Sequence, residues 1–150
     1  MKIKEVLYNT CQTFLDSRLE VIQHAILDIQ NALQSETKSS AGDKHETGRA
    51  MLQLEREKAG QQLSEIQKLQ ETLQKIDLQL KSNKVTLGSV VKTSKANYFV
   101  AISAGEIKID NTLYYAISAS TPIAKLILSK EFDKSLKRVL PIKKIPIILK

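Results

Sequence analysis

No proline occurs before Pro122, and between residues 1 and 87 the only glycines are Gly42, Gly48 and Gly60. A chain so free of helix breakers over its first half has few choices but long helices. In the first segment Leu15, Leu19, Ile22, Ile26, Ile29 and Leu33 recur in alternating steps of four and three, the spacing of a coiled-coil seam. In the second, Ile66, Leu69, Leu73, Ile76 and Leu80 repeat the pattern, and Leu52 and Ala59 carry its register back toward residue 48. Glu55 and Gln62 are soft spots in that seam. Two such stripes on one chain, joined by a short turn, bury each other most simply as an antiparallel hairpin. Arms of roughly 35 residues would be about 50 Å long at 1.5 Å per residue. The stretch between them, Gly42-Asp43-Lys44-His45-Glu46-Thr47-Gly48, reads as an acidic knuckle at the turn.

From about residue 85 the hydrophobic period shortens. Val85–Leu87, Ser89–Thr93, Tyr98–Ile102, Glu106–Asp110 and Thr112–Ile117 are short β-branched and aromatic runs. Gly105 and the pair Asp110-Asn111 are expected to supply hairpin turns. Ser120-Thr121-Pro122 sets a hydroxyl cap before a proline at a first helical position, so a short helix should begin there. The last segment, residues 138–150, is β-branched but holds Pro141 and Pro146, which suits edge strands. The expected fold class is therefore α+β: an N-terminal antiparallel coiled-coil hairpin over residues 1–83, its tip near 39–48, followed over 84–150 by a small antiparallel sheet domain with one helix.

The charge divides along the same line. Residues 1–83 carry 11 Lys/Arg against 12 Asp/Glu, and residues 84–150 carry 12 against 4, so the net charge of +7 sits in the second half. A basic half suits nucleic acid, a membrane surface or an acidic protein, and charge does not choose among them. Lys92, Lys95, Lys108, Lys125 and Lys130 are not accompanied in sequence by the aromatic pattern of a base-stacking platform. One cysteine, Cys11, excludes an internal disulfide or a thiolate metal cluster; it reads as a packed helix residue. With no charged-then-apolar leader and no apolar run of about 18 residues, a soluble, reducing compartment is the expectation.

Asp43 and Glu46 admit two readings. Three residues apart at a helix start, they have the spacing of a capping box. The same pair could supply two oxygen ligands of a Mg²⁺ site completed by another molecule, since Mg²⁺ often takes only one or two protein carboxylates. His45, alone on a polar turn, reads as solvated, and His24 as a helix-surface residue.

Gly42-Asp43-Lys44-His45-Glu46, between two coiled-coil arms, resembles the acidic tip of the Gre-family bacterial transcript cleavage factors, whose pattern is Gly-Asp-Leu-x-Glu-Asn-Ala-Glu-Tyr. A second match lies about 75 residues on. Ser120-Thr121-Pro122-Ile123-Ala124-Lys125, then Leu128-Ser129-Lys130-Glu131, is similar to the Ser-Pro-Ile-Ala-Arg-x-Leu-x-Gly-Lys-x segment of that family's C-terminal FKBP-like domain. The resemblance implies a cytoplasmic, monomeric, non-enzymatic elongation factor. It would bind RNA polymerase through its secondary channel and stimulate the polymerase's own cleavage of backtracked RNA. By position Asp43 and Glu46 would be the acids acting in trans in the polymerase active site, sharing a Mg²⁺ with it. Ser120, Pro122, Ile123 and Lys125 would dock on the polymerase. Arg49 and Arg56, seven apart, with Lys58 nearby, would meet nascent RNA or polymerase, or else form a solvated face with i, i+4 partners. Direct contact with nucleic acid, DNA included, is a further expectation, and no membrane is implied.

The sequence departs from the family after Glu46, where Thr47-Gly48-Arg49-Ala50 replaces Asn-Ala-Glu-Tyr, and at Ser129, where a glycine is expected. Two alternatives follow: a secondary-channel regulator without cleavage stimulation, and a coiled-coil adapter or chaperone-like binding module.

Overall fold

The computed structural model describes residues 2–38, 42–80, 82–128 and 148–149, with side chains for all of these except residues 2, 37, 38, 42–46, 148 and 149. Helix α1 runs Lys2–Lys38 and α2 runs Gly42–Gln74. Strands β1 (Val90–Lys92), β2 (Asn97–Ala101), β3 (Gly105–Ile109) and β4 (Thr112–Ser118) precede helix α3 (Pro122–Ile127) and a two-residue strand β5 (Ile148–Leu149). Long N-terminal helices followed by a small sheet with one short helix make the chain α+β. The chain divides into two compact units, Leu15–Gln70 and Met1–Phe14 with Glu71–Lys150.

In the helical unit the stripes face each other with opposite chain direction. Arg18 and Ile22 line one groove with Gln62 and Ile66, and Glu36 stands beside Gly48. Leu15, Ala59 and Ile66 are buried, while Leu19, Ile22, Ile26, Ile29, Leu33, Leu52 and Leu69 are half-buried. A two-helix seam covers each apolar residue on one side only, so partial burial is what this packing can reach. Glu55 and Gln62 are exposed, and the groove of about 430 Å³ opens where Gln62 interrupts the seam.

Two expectations for the helices are corrected. The knuckle is not a turn: Gly42–Gly48 is already helical and forms the first two turns of α2. Asp43 is therefore a second helical residue and not the cap that a capping box needs. The second seam also stops early. Helix α2 ends at Gln74, because the Asp77 carboxylate accepts the Gln79 N–H at 2.9 Å and the Asp77 carbonyl accepts that of Leu80 at 3.2 Å, turning the chain. Leu80, expected in the seam, is half exposed.

In the other unit the sheet order is β3-β4-β2-β1-β5. The expected all-antiparallel sheet is corrected to a mixed one: β2 and β4 are parallel, with Tyr98 opposite Tyr115 and Val100 opposite Ile117. β1 pairs antiparallel with β2 and β5, and β3 with β4. Because β4 lies between β2 and β3, Gly105 (φ +79°) opens β3 and makes no hairpin, contrary to expectation. Asp110 (φ 48°) and Asn111 (φ 66°) do turn the β3–β4 hairpin, both left-handed as a two-residue twisted turn requires. Val85–Leu87, expected as a strand, is a turn region held by the Thr86 N–H on Ser89 Oγ at 2.9 Å. The final strand is an edge strand; Pro141 and Pro146 lie outside the described residues.

One face of the sheet buries Val91, Val100 and Ile117 against Val85 and against Ala124 and Ile127 of α3. Phe99 and Tyr114, on the other face, are buried, as are Leu7, Cys11, Leu73 and Ile76. Gly88 (φ +91°) lies so close to Ile76 that a Cβ there would stand 2.8 Å from Ile76 Cγ2. Lys4, whose ammonium burial disfavours and Asp77 partly supports, donates to the Leu80 carbonyl at 3.2 Å.

Candidate functional site

The residues expected to act fall into three groups. Asp43 and Glu46 are backbone positions in the first two turns of α2, where a helix end offers unpaired N–H groups and favours negative charge. At about 100° per residue the two stand within about 60° of each other around the helix. Among the described residues no three His, Cys, Asp or Glu side chains gather as a metal site; the side chains of Asp43, His45 and Glu46 lie outside that description.

Arg49, Arg56 and Lys58 do not form one patch. Arg49 and Arg56 are nearly two turns apart on one face and both half-buried, but Lys58, two residues beyond Arg56, is rotated by about 200°. The Arg56 guanidinium folds back on its own helix, so that a Cβ at Gly60 would meet its Nη1 at 3.1 Å. Glu36 occupies the space that Gly48 leaves open: a Cβ there would meet Glu36 Oε1 at 3.1 Å. Gly48 thus lets a carboxylate of α1 lie close against α2 near the chain reversal.

Ser120, Pro122, Ile123 and Lys125 share the entry to α3. Thr121 is its cap: its hydroxyl accepts the Ala124 N–H at 3.3 Å and donates to the Ser118 carbonyl at 2.9 Å. Proline at the first helical position wastes no hydrogen bond there. Ser120, Pro122 and Lys125 are exposed, Ile123 packs partly on the core, and the Ser120 hydroxyl is 2.8 Å from that of Ser118. Lys130 lies outside the described residues.

Sequence reasoning missed an aromatic pair. Tyr98 and Tyr115, separated by sixteen residues between them, are brought side by side by the parallel β2–β4 register, ring centroids 6.1 Å apart and tilted by 39°. No local spacing announces such a pair, since it depends on which strands become neighbours. Burial and the neighbouring Tyr115 push the Tyr98 phenol above its ordinary pKa.

Compared with known proteins, the chain matches no family model, no curated sequence and no solved structure. Among the described residues no helix is long and apolar enough to cross a membrane.

Proposed function

We propose that this chain is a transcription elongation factor of Gre type, which binds RNA polymerase through its secondary channel and stimulates the polymerase's cleavage of backtracked RNA. The observation that carries the reading is the placement of Asp43 and Glu46 at the start of α2, at the reversal end of a two-helix unit. In this reading a two-helix end enters a channel that a globular domain cannot. The second support is the capped Thr121-Pro122 helix start in the segment that resembles the family's C-terminal domain.

In this reading the factor is a cytoplasmic monomer and holds no metal of its own. Asp43 and Glu46 offer hard oxygen donors, the type Mg²⁺ takes, and the remaining ligands belong to the polymerase. A second Mg²⁺ held in this way would supply charge stabilisation for phosphodiester hydrolysis. The chain's own task is positioning. Helical backbone at both acids, with Glu36 close against Gly48 near the tip, favours stiffness where a displacement of about 1 Å would cost much of the rate. Arg49 and Arg56 form the face that would meet nascent RNA or polymerase, while Ser120, Pro122, Ile123 and Lys125 dock.

The test is shortening of the transcript in purified, stalled polymerase complexes. The intact protein is expected to accelerate cleavage and Asp43→Ala/Glu46→Ala to abolish the acceleration without abolishing polymerase binding. Absence of any acceleration by the intact protein sinks the proposal. The second reading, a channel-occupying regulator, is favoured by Thr47-Gly48-Arg49 in place of the family's continuation. It predicts binding and altered transcription that survive loss of both acids.

A further inference from the structure

We propose that the open end of the α3-bearing sheet face binds single-stranded nucleic acid, with Tyr98 and Tyr115 as a stacking floor and Lys95 and Lys108 as phosphate contacts. The site is distinct from the acidic tip and does not depend on the tip's activity.

Strand alternation puts Val91, Tyr98, Val100, Leu113, Tyr115 and Ile117 on one face, with Glu106 and Lys108 of β3 beside Tyr115 and Leu113. Helix α3 covers the row containing Val100 and Ile117. One pleat further on, the row holds Val91, fully buried in the same core, and then Tyr98 and Tyr115, which pack on that core and are half-buried; beyond it Leu113 is 38% exposed. The face is therefore apolar at its covered end and aromatic at its open end. The strands that carry it are fixed there, because Asn97 Nδ2 donates to the Leu113 carbonyl at 3.2 Å and ties the start of β2 to β4.

Charge selects the occupant. The open end is bordered by two turns. In one, Thr93 Oγ1 accepts the N–H groups of Lys95 (3.2 Å) and Ala96 (3.1 Å) and donates to the Ala96 carbonyl at 2.9 Å, fixing the backbone of an exposed lysine three residues before Tyr98. Lys108, also exposed, shares the face with Tyr115 on the neighbouring strand. Over residues 84–128 five lysines stand against Glu106 and Asp110, a net positive charge that favours a polyanion. Paired aromatic rings on an open sheet with cations at its border suit unstacked bases and their phosphates better than a protein helix, which would need a wider apolar surface. Glu106, opposite Tyr115, and Asp110, in the β3–β4 turn that borders the open end, are the carboxylates at this end among the described residues, and both work against a phosphate.

The experiment is fluorescence anisotropy with a labelled 12-nucleotide oligouridylate RNA and the matching oligothymidylate DNA, on the full chain, across salt concentrations. Binding is expected to weaken steeply with salt. Because both tyrosines also pack on the core, Tyr98→Leu/Tyr115→Leu keeps apolar volume while removing the stacking faces, and thermal melts verify its fold. It is expected to lose at least tenfold in affinity, whereas Tyr98→Phe/Tyr115→Phe retains it and Glu106→Gln gains a few-fold. The RNA and DNA arms decide which strand is preferred, and either preference supports the site. No binding to either, or equal binding by the leucine variant, overturns it. Loss of polymerase binding by the leucine variant without any nucleic-acid affinity would make the face a protein dock and also overturn it, while leaving the transcript-cleavage reading intact.

Discussion

Gly88 and Gly105 share a left-handed backbone but not surroundings, and the difference separates two costs. At Gly105 a Cβ would meet nothing within 4 Å, so alanine would carry only the backbone penalty, about 1 kcal/mol. At Gly88 the same penalty is joined by a contact of 2.8 Å with Ile76 Cγ2, in a buried place where little can yield. Gly88→Ala is expected to lower stability by about 2–4 kcal/mol, read as a shift of the urea midpoint, and Gly105→Ala by markedly less. Cys11 gives a pH prediction. Burial pushes its thiol from an ordinary 9.0 up to about 11, so the folded state disfavours the thiolate. The unfolded chain releases that proton first. Stability from this group is thus complete below about pH 9 and lost as pH rises through about 11. Lys4, whose charge burial also disfavours, contributes with the opposite sign, so the measurement is the difference in melting temperature between Cys11→Ala and the parent across that interval. A difference that does not change between pH 8 and 11 would refute the assignment.

At the scale of elements, α3 is too short to persist alone, and its six residues depend on a cap and on burial of Ala124 and Ile127. Thr121→Ala removes the acceptor for the Ala124 N–H and the donor to Ser118. It is expected to cost about 1 kcal/mol, with Thr121→Ser restoring most of it in chemical denaturation. This start was legible in the sequence because a cap and a first-turn proline are local signals. The seam residues of both long helices were legible for the same reason, their spacing being the period of the helix itself. The end of α2 was not. Ile76 and Leu80 continue the four-and-three spacing, yet Asp77 turns the chain with its own carboxylate, and Ile76 is used beneath Gly88. No glycine or proline marks that exit. The tip was misplaced in the other direction, since Gly42 and Gly48 suggested a turn where the chain is already helical.

At the scale of the molecule, strands were easier to find than their neighbours. Alternation and the Asp110-Asn111 turn specify β3 and β4, but nothing local says that β4 should enter beside β2 and run parallel to it. That long-range choice creates the Tyr98–Tyr115 row, so the aromatic face escaped sequence reading even though each tyrosine was in view. The acidic positions were legible as residues, and the structure adds their helical backbone. Of the three expected cations, Arg49 and Arg56 share one side of α2, while Lys58 shares sequence proximity with Arg56 but not its side of the helix.

The insertion of β4 between β2 and β3 also sets an order of events during synthesis. As the chain leaves the ribosome, β1 and β2 can pair at once, but β3 emerges with the slot beside it vacant and no strand yet made to fill it. The four-strand core closes only when residues 112–118 arrive, Tyr114–Ser118 reaching back to β2 and Thr112–Ala116 pairing with β3. Until then β2 and β3 present unpaired edges, which makes this interval of translation one of exposure to mispairing with other chains.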